Sequence, residues 1–524
     1  MDESKLEVEK AFLEGAASNH IDPDKVMSKL GKYPKYQLFL LFLIDWSWYI
    51  FAYETLIMAF IGNPVPFHCQ DDLAQNLTLS ESLDQCQIEL RNQSVECGTN
   101  GTSIVYDTSL GDTLVSDFDL SCSKKYMVQF ATSVFMFGSM LTLIPVSQLA
   151  DHFGRRWIFN LSCWSATALS ILSAFSPNFT LFLVCRFLMG VTTVGLQTVA
   201  INLGIEIISP EFRHFASIIM AVTWLGAYLT IGVLAIFLTR WRTYCLVAAI
   251  PMVSTVIFHW YIPESLHWLI AKNRTDQARK LIEFLARKNG VKFNIESCMV
   301  VKPLDNNKSN RHLGHVFKSG VLVFYMVIVS YIGITCIMTY WGLTLFSART
   351  SSDPFLGFIL SGLIEFPAGF LAPVLLICFG RRTVGFFSFV LSGVALVSLV
   401  FVPTNASDWV VTPLYLTGKF GNIMVFGSTF LLTTEMFPTT VRNVCGGVMA
   451  TATKIGSICA PFVMEMTDIH PRFPALVFGV MSLIGAALHF CLPETAGKEM
   501  PEDIDETDPG PFLGLFVGKR NRKL

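Results

Sequence analysis

The sequence predicts an all-α integral membrane protein with twelve transmembrane helices, arranged as two pseudo-symmetric six-helix bundles with a large extracellular loop after helix 1. Three observations support this prediction: the composition is apolar, long apolar runs recur along the chain, and landmarks of the first half return in the second. Of the 524 residues, 52% are hydrophobic and only 15% are charged. A soluble chain has about a quarter of its residues charged, so much of this surface must face hydrocarbon.

Twelve apolar runs are long enough to cross a hydrocarbon layer of about 30 Å. They lie near residues 36–62, 125–150, 157–177, 180–208, 214–238, 242–262, 320–347, 353–379, 382–402, 409–436, 444–470 and 472–492. These runs divide the chain into an N-terminal segment, a first bundle that includes loop 63–124, a central loop, a second bundle and a tail. The five parts are residues 1–35, 36–262, 263–319, 320–492 and 493–524.

The distribution of Lys and Arg predicts the orientation, because these residues collect in cytoplasmic loops. Six lysines precede the first run, the 263–319 segment is rich in Lys and Arg, and four of the last six residues are basic. Loop 63–124 has only Arg91 and Lys124 as basic residues. Both termini and the central loop are therefore expected in the cytoplasm. The first run is too long and too far from the start for a cleavable signal peptide, so we expect an uncleaved anchor.

Loop 63–124 has the residues of an extracellular segment. It contains three acceptor sites for N-glycans, at Asn76, Asn92 and Asn100. It also contains four cysteines, an even number that suits disulfides in an oxidising space: Cys69, Cys86, Cys97 and Cys122. Four cysteines allow three pairings, and the sequence does not choose among them.

Three landmarks of the first half return in the second at nearly constant spacing. Phe153-Gly-Arg-Arg156 returns as Phe379-Gly-Arg-Arg382. Glu206 and Arg213 return as Glu435 and Arg442, and Pro263-Glu-Ser265 returns as Pro493-Glu-Thr495. All three lie at predicted cytoplasmic helix ends. The chain is therefore a tandem duplication of a six-helix unit.

This pattern resembles the major facilitator superfamily. Ser147–Arg156 is similar to its signature loop between helices 2 and 3, with Ser147 where Gly is usual, and Arg186 with Gly190 resembles its Arg-x-x-x-Gly motif. Six further segments resemble the organic cation, anion and zwitterion transporter family, solute carrier family 22: Ser116–Cys122, Ile262–Trp268, Gly362–Pro367, Gly418–Gly421, Glu435–Asn443 and Leu492–Thr495. The resemblance implies the major facilitator fold and transport of a small organic ion across the plasma membrane by alternating access.

The chain departs from that family at two positions. His267 replaces the usual Arg of the Pro-Glu-Ser segment, and Ile377 replaces the acid of the second signature loop. Neither position is expected near the substrate path, so both concern gating rather than substrate class.

Charged residues at the predicted cytoplasmic helix ends form a candidate gate. Pairs that bridge the two halves would hold one state closed, and breaking them would let the bundles rock. The expected groups are Asp151 with Arg155 and Arg156, Glu206 with Arg213, and Glu435 with Arg442. Alternatively, these charges only set topology and reach the interface from helix ends.

Lys454 in helix 11 is the strongest candidate for substrate binding, because a charge inside the membrane usually faces a cavity or a partner. Its helix face also carries small and polar residues: Gly447, Thr451, Ser457 and Pro461. By resemblance, cation carriers of the family have an acid at this position, whereas anion and zwitterion carriers have a base. We expect Lys454 to neutralise a substrate carboxylate. The alternative is a structural ion pair, with Glu365 as a possible partner.

Further charges and aromatic rings within the helices are candidates for the same cavity. Glu365 in helix 8 suits a cation-binding or a structural role, and Arg186 in helix 4 more often has a structural role. In helix 1, Asp45, Trp48, Tyr49 and Ala52 share one face, and Glu54 lies opposite. Aromatic rings on the Asp45 face could hold a quaternary ammonium group. The other candidate lining residues are Trp224, Tyr228, Tyr340, Trp341 and Phe426.

An acid and a base in one cavity suit a zwitterion, such as a betaine or a carnitine-like molecule, or an organic anion. An organic cation is the alternative, although Lys454 would repel it. A sugar or phosphate porter shares the fold, but the cysteine-bearing loop argues against it. A receptor or scaffold without transport activity also remains open. The expected partners are a small organic ion, the lipid bilayer, and a coupling ion or an exchanged counter-substrate.

The sequence has no features of an enzyme or of a nucleic-acid-binding protein. It has no phosphate-binding Gly loop, no nucleophile elbow and no cluster of metal ligands, and the ten histidines are scattered. The net charge of −2 does not indicate a nucleic-acid partner. We therefore expect no catalytic residue, no metal site and no cofactor.

Overall fold

The fold is described from a computed structural model of the chain. It describes residues 17–30, 35–71, 86–90, 93–97, 102–107, 111–291, 299–303, 316–317, 319–350, 354–403, 406–498, 500–501, 504, 508 and 510–511. The three predicted glycan acceptors, Asn76, Asn92 and Asn100, lie outside the described residues.

Helices dominate the described part of the chain. The first six are Lys35–Leu56 with Met58–Ile61, Tyr126–Phe153, Arg155–Ala174, Phe179–Val194 with Ala200–Ile207, Arg213–Phe237, and Trp241–Val253 with Thr255–Tyr261. The second six are Gly320–Thr350, Pro354–Leu363 with Glu365–Phe379, Arg381–Ser398, Asp408–Met436, Arg442–Glu465 and Phe473–Phe490. We number them helices 1 to 12.

Within the described residues, eleven helical segments are long and apolar enough to cross a membrane. The remaining predicted span is helix 10, which has 29 residues and is therefore long enough. Helix 10 differs from the eleven apolar segments because it carries Lys419 and Asn422, which are both at most 1% exposed. The twelve-helix prediction therefore holds, with one helix that depends on burial of its polar residues against its neighbours.

The repeated Gly-Arg-Arg sequence connects consecutive helices in both halves. Gly154 ends helix 2 with φ at 112°, and Gly380 ends helix 8 with φ at 85°, in a backbone region that L side chains rarely adopt. A Cβ at Gly154 would clash with the Glu264 carboxylate, and one at Gly380 would clash with that of Glu494. Glycine therefore permits both the tight turn and the close approach of a carboxylate to the next helix.

The segment between helices 1 and 2 contains short strands held by disulfides. Phe67–Asp71 pairs with Thr102–Tyr106, and Gln87–Leu90 pairs with Gln93–Glu96, both antiparallel. The four cysteines pair as Cys69–Cys97 and Cys86–Cys122. The short helix Leu114–Asp117 then leads to helix 2.

A small module covers the other end of the first half. Strand Ala17–Ile21 pairs with Met299–Pro303 of the central loop. Helix Pro23–Lys29 packs its buried Val26 and Met27 against helices Leu266–Ala271 and Thr275–Asn289. The N-terminal segment and the central loop therefore fold together.

The two halves contact each other at the end that carries residues 63–124, which we call the loop-1 end. There the Phe60 ring stacks on Phe355 at 5.8 Å, and Lys125 Nζ lies 2.7 Å from Asp468 Oδ1. We call the opposite end, next to residues 263–319, the central-loop end. Among the described residues, no ion pair there joins the first six-helix bundle to the second.

Candidate functional site

A buried ion pair joins helices 8 and 10 of the second half. Helix 8 is interrupted at Ile364, and Glu365 begins its second segment. Lys419 of helix 10 is 0% exposed, and its Nζ lies 2.8 Å from Glu365 Oε1. The same ammonium donates to Ser361 Oγ at 2.8 Å. A lysine is tolerated at full burial only when its charge is paired and its protons are bonded, and Glu365 with Ser361 meets that need.

Glu365 receives two more hydrogen bonds, one of them from the first half. Trp224 Nε1 of helix 5 donates to Oε2 at 3.0 Å, and the Tyr340 hydroxyl of helix 7 donates to Oε1 at 2.9 Å. Lys419 also donates to the hydroxyl of Tyr228, another helix 5 residue, at 3.3 Å. The pair therefore connects the halves, and the charge of Glu365 is compensated in this conformation.

Aromatic rings from three helices form a cluster beside this pair. The ring centroids of Trp48 and Trp224 are 6.3 Å apart, and those of Trp224 and Trp341 are 6.4 Å apart. Tyr340 contacts Trp341 edge-on at 5.2 Å. The structure therefore brings together four of the predicted lining residues, contributed by helices 1, 5 and 7.

Lys454 reaches toward the first half from helix 11. Its Nζ lies 3.5 Å from the side-chain oxygen of Gln197, which is a long and weak contact. Gln197 is part of the π-helical turn Gly195–Val199 within helix 4, a type of irregularity often found at functional sites. Lys454 is half-buried and has no acidic partner among the described residues. The suggested ion pair of Lys454 with Glu365 is wrong, because Lys419 occupies that carboxylate.

Two residues on the predicted Lys454 stripe are also placed. Thr451 donates its hydroxyl to the Gly447 carbonyl at 2.9 Å and is half-buried. Ser457 is buried and lines a small pocket with Thr55, Thr132, Trp341 and Pro461. This pocket lies where helices 1, 2, 7 and 11 meet.

The acids of helix 1 have different surroundings. Glu54 lies 3.5 Å from Arg186 Nη1, and that nitrogen donates to the Glu54 carbonyl at 2.9 Å. The Arg186 guanidinium also lies 4.5 Å from the Phe135 ring centre. Arg186 is thus a buried cation that joins helices 1, 2 and 4. Asp45 is 5% exposed, and its Oδ2 has no hydrogen-bond partner among the described residues.

Two predicted lining residues lie away from the aromatic cluster. Tyr49 is stacked on Trp46 at 5.0 Å and belongs to the core of the first half, so its role as a lining residue stays a prediction. Adjacent residues of a helix point about 100° apart. Because Trp48 points toward Trp224, the next residue, Tyr49, points away from Trp224. Phe426 follows Lys419 two turns later on the same helix face, nearer the central-loop end, and is 52% exposed.

The charges at the central-loop end form two similar networks, one in each half. Arg155 pairs with Glu206 and lies 3.6 Å from Asp151. In the second half, Arg381 binds Glu435 through two hydrogen bonds, at 2.9 and 3.0 Å. The hydroxyls of Ser265 and Thr495 bond the same two glutamates.

The predicted pairs Glu206–Arg213 and Glu435–Arg442 do not form, because each Arg begins the helix after a turn and points elsewhere. Arg213 lies 2.6 Å from Asp24, and Arg442 donates to the Phe437 carbonyl at 3.2 Å. Arg156 donates to the His259 carbonyl at 2.5 Å. None of these contacts bridges the halves, so within the described residues the expected cross-half pairs are absent in this conformation.

Sequence reasoning missed three residues of these networks. Lys419 lies within the segment Gly418–Gly421, and its interruption of an apolar run is itself a signal of a buried partner. Gln197 gave no signal apart from being polar within helix 4. Arg381 was a repeat landmark, and its match to Arg155 could have placed it in the gate.

Comparisons with known proteins agree with this geometry. Residues 47–506 match the family model described as "Sugar (and other) transporter". The rabbit protein "Solute carrier family 22 member 2" is 30% identical over 77% of this chain and 73% of its own length. The Drosophila melanogaster "Organic cation transporter protein" is 27% identical over 92% and 94%.

A solved structure shows the same fold. The inward open conformation of the xylose transporter XylE from E. coli superposes with a TM-score of 0.59 over 88% of this chain and 98% of that chain, at 16% identity. The relatives are transporters without catalytic activity. The chain therefore belongs to the major facilitator superfamily and, within it, to solute carrier family 22.

Proposed function

We propose that this transporter carries small organic ions with a negatively charged group, either zwitterions of the carnitine or betaine type or organic anions. The observation that carries the proposal is the pairing of charges inside the membrane. Glu365 is neutralised by Lys419, and Glu54 lies against Arg186. Lys454 has no acidic partner among the described residues and only a weak amide contact. A carboxylate is the group that this ammonium would bind most strongly.

The aromatic cluster suits the other end of a zwitterion. Trp48, Trp224, Trp341 and Tyr340 present ring faces and edges where helices 1, 5 and 7 meet. Such faces attract a quaternary ammonium by cation–π interaction. Asp45, which has no ion-pair partner in the described structure, is a candidate for the acid that supports this end.

Transport is proposed to proceed by alternating access at the plasma membrane, with both termini in the cytoplasm and glycans on loop 63–124. The halves contact each other at the loop-1 end, and the ion pairs of the central-loop end stay within each half. With the proposed orientation, this conformation faces the cytoplasm. The networks of Arg155 and Arg381 would then hold each bundle rigid as the two rock.

Organic cation transport is the second candidate. Relatives that carry that name include the Drosophila melanogaster protein and one from Caenorhabditis elegans that is 26% identical over 96% of this chain. The aromatic cluster suits a cation as well as a zwitterion. The two candidates differ in what they require of Lys454, which would repel a cation.

Uptake into cells that express the chain distinguishes them. The probes are radiolabelled carnitine, an aromatic organic anion and tetraethylammonium, and the variants are Lys454→Ala and Lys454→Arg. A charged hydrogen bond contributes about 1.5–3 kcal/mol, so Lys454→Ala should raise the KM for carnitine or the anion roughly 10- to 100-fold. Lys454→Arg should keep much of the uptake.

Lys272→Ala, at an exposed position of the central loop, is the matched control and should transport like the wild type. Tetraethylammonium uptake that is indifferent to Lys454→Ala, without uptake of the other two probes, would contradict the proposal.

A further inference from the structure

A groove between helices 3 and 6 contains polar side chains that the transport site does not use. Arg156, Asn160 and Trp164 follow each other at four-residue spacing on one face of helix 3. His259 of helix 6 lies opposite: its carbonyl accepts from Arg156 at 2.5 Å, and its ring centre lies 5.3 Å from that of Trp164. These four residues, the helix 3–6 groove, begin at the central-loop end and extend along helix 3 from its first turn.

Most polar atoms of the groove have no partner. Asn160 is 0% exposed, and both its amide nitrogen and its amide oxygen lack a hydrogen bond among the described residues. The same is true of Arg156 Nε, Trp164 Nε1 and His259 Nδ1. Leaving a buried polar group unbonded costs about 1–3 kcal/mol. A cluster of five such atoms therefore indicates a site that a polar group fills when the protein is in its membrane.

The second half shows that the fold itself does not require this polar groove. The internal repeat places Arg382, Phe386 and Val390 where the first half has Arg156, Asn160 and Trp164. There the Arg382 guanidinium lies 4.3 Å from the ring centre of Phe490, and Phe386 contacts the same ring at 5.6 Å. An apolar filling thus serves the equivalent helix pair, and the polar residues of the first half need another explanation.

The lipid-facing rim of the helix 3–6 groove is apolar and covers the five unbonded atoms, so a ligand reaches them by displacing rim side chains. Around it, Trp157 is 50% exposed, Leu161 48%, Ile257 54% and Trp260 72%. Tryptophan is enriched where a helix meets the membrane–water interface. Arg156 is the second residue of helix 3, and His259 lies in the last turn of helix 6. A molecule in the groove would therefore have its chains in the bilayer and its polar part at the central-loop end.

We propose that the helix 3–6 groove binds the headgroup of an anionic phospholipid. Arg156 supplies a permanent positive charge, and the Nε of Arg156, Nδ2 of Asn160 and Nε1 of Trp164 are N–H donors for phosphate oxygens. Basic pockets between membrane helices are known places for such headgroups. The amide oxygen of Asn160 needs a donor in return, which the ammonium of phosphatidylserine and the hydroxyls of phosphatidylinositol supply. Phosphatidylcholine has no such donor.

The thermal stability of the purified full chain in detergent tests the proposal. The midpoint is measured after addition of phosphatidylserine, phosphatidylinositol, phosphatidylcholine or inorganic phosphate. Phosphatidylserine or phosphatidylinositol should raise the midpoint of the wild type, since a ligand that binds only the folded state stabilises it. Phosphatidylcholine and free phosphate should not.

Variants locate the effect. Asn160→Leu keeps the size of the side chain but removes both polar atoms. In this variant and in Arg156→Gln, the lipid-induced shift of the unfolding midpoint should be at least about half smaller than in the wild type. Trp164→Phe, which removes only the N–H, should lose a smaller part. Arg382→Gln is the matched control at the apolar groove of the second half and should keep the full shift.

Equal lipid shifts in the wild type and Asn160→Leu would overturn the proposal. So would a phosphatidylcholine shift as large as that of phosphatidylserine, or a shift reproduced by inorganic phosphate alone. If Arg156→Gln does not fold, Asn160→Leu and Trp164→Phe carry the test. The outcome is independent of which substrate the transporter carries.

Discussion

Replacing Lys419 by methionine tests whether the Glu365–Lys419 pair stabilises the contact between the halves. The substitution keeps the apolar part of the side chain and removes its charge. Glu365, at 13% side-chain exposure, would then keep the donors Trp224 and Tyr340 but lose its counter-ion. Removing one partner of a buried ion pair costs about 3–5 kcal/mol, because the other charge stays buried without compensation.

The double variant Lys419→Met/Glu365→Gln separates this effect from lost packing. Its glutamine carries no charge; the amide oxygen can accept from Trp224 at the Oε2 position, and the amide nitrogen at the Oε1 position can donate to the Tyr340 hydroxyl. We expect it to recover at least about half of the stability lost in Lys419→Met. Stability is measured as the midpoint of thermal unfolding of purified protein, with Lys272→Met as an exposed-lysine control that should change stability by less than about 0.5 kcal/mol.

A double variant as unstable as Lys419→Met would refute the ion-pair reasoning. A Lys419→Met variant as stable as the wild type would do the same. In either case the 2.8 Å contact would not be what compensates the charge of Glu365.

Three further predictions concern other parts of the molecule. Arg186→Leu should lower the unfolding midpoint by the equivalent of about 3–5 kcal/mol, because Glu54 is left buried without its cation; adding Glu54→Gln should restore part of it. Cys69→Ser should cost about 3.5 kcal/mol from chain entropy, because the two cysteines of the Cys69–Cys97 link are 28 residues apart, and an unchanged midpoint would contradict this. Burial lowers the pKa of His267 below its usual value. The folded chain thus favours neutral His267, so stability should fall as pH drops below about 6.5, and His267→Gln should flatten that decline.

The positions of the membrane helices could be predicted closely because long apolar runs depend on composition alone. The run predicted at 382–402 is Arg381–Ser398 with the turn Leu399–Phe401, and the run at 409–436 is Asp408–Met436. The two-bundle architecture also followed from the sequence, since Gly154 and Gly380 mark the same turn in both halves. Local rules decide both features.

Charge partners could not be predicted, because they depend on how helices turn against each other. Glu206 and Arg213 are close in sequence, yet Glu206 of helix 4 bonds Arg155 at the start of helix 3. Similarly, the face that helix 10 presents decides that Lys419 rather than Lys454 meets Glu365. Sequence spacing shows that an acid and a base share a membrane region, but only packing shows which ones touch.

Charge reversal at the proposed carboxylate partner tests the central claim most directly. The measurement is the ratio of carnitine to tetraethylammonium uptake by cells expressing Lys454→Glu, compared with the wild type at equal surface expression. A glutamate beside Gln197 would repel a carboxylate and attract an ammonium, so the ratio should fall at least about 100-fold, through two opposite changes of roughly tenfold each. A ratio that stays at the wild-type value, with both probes still transported, would show that Lys454 does not face the substrate.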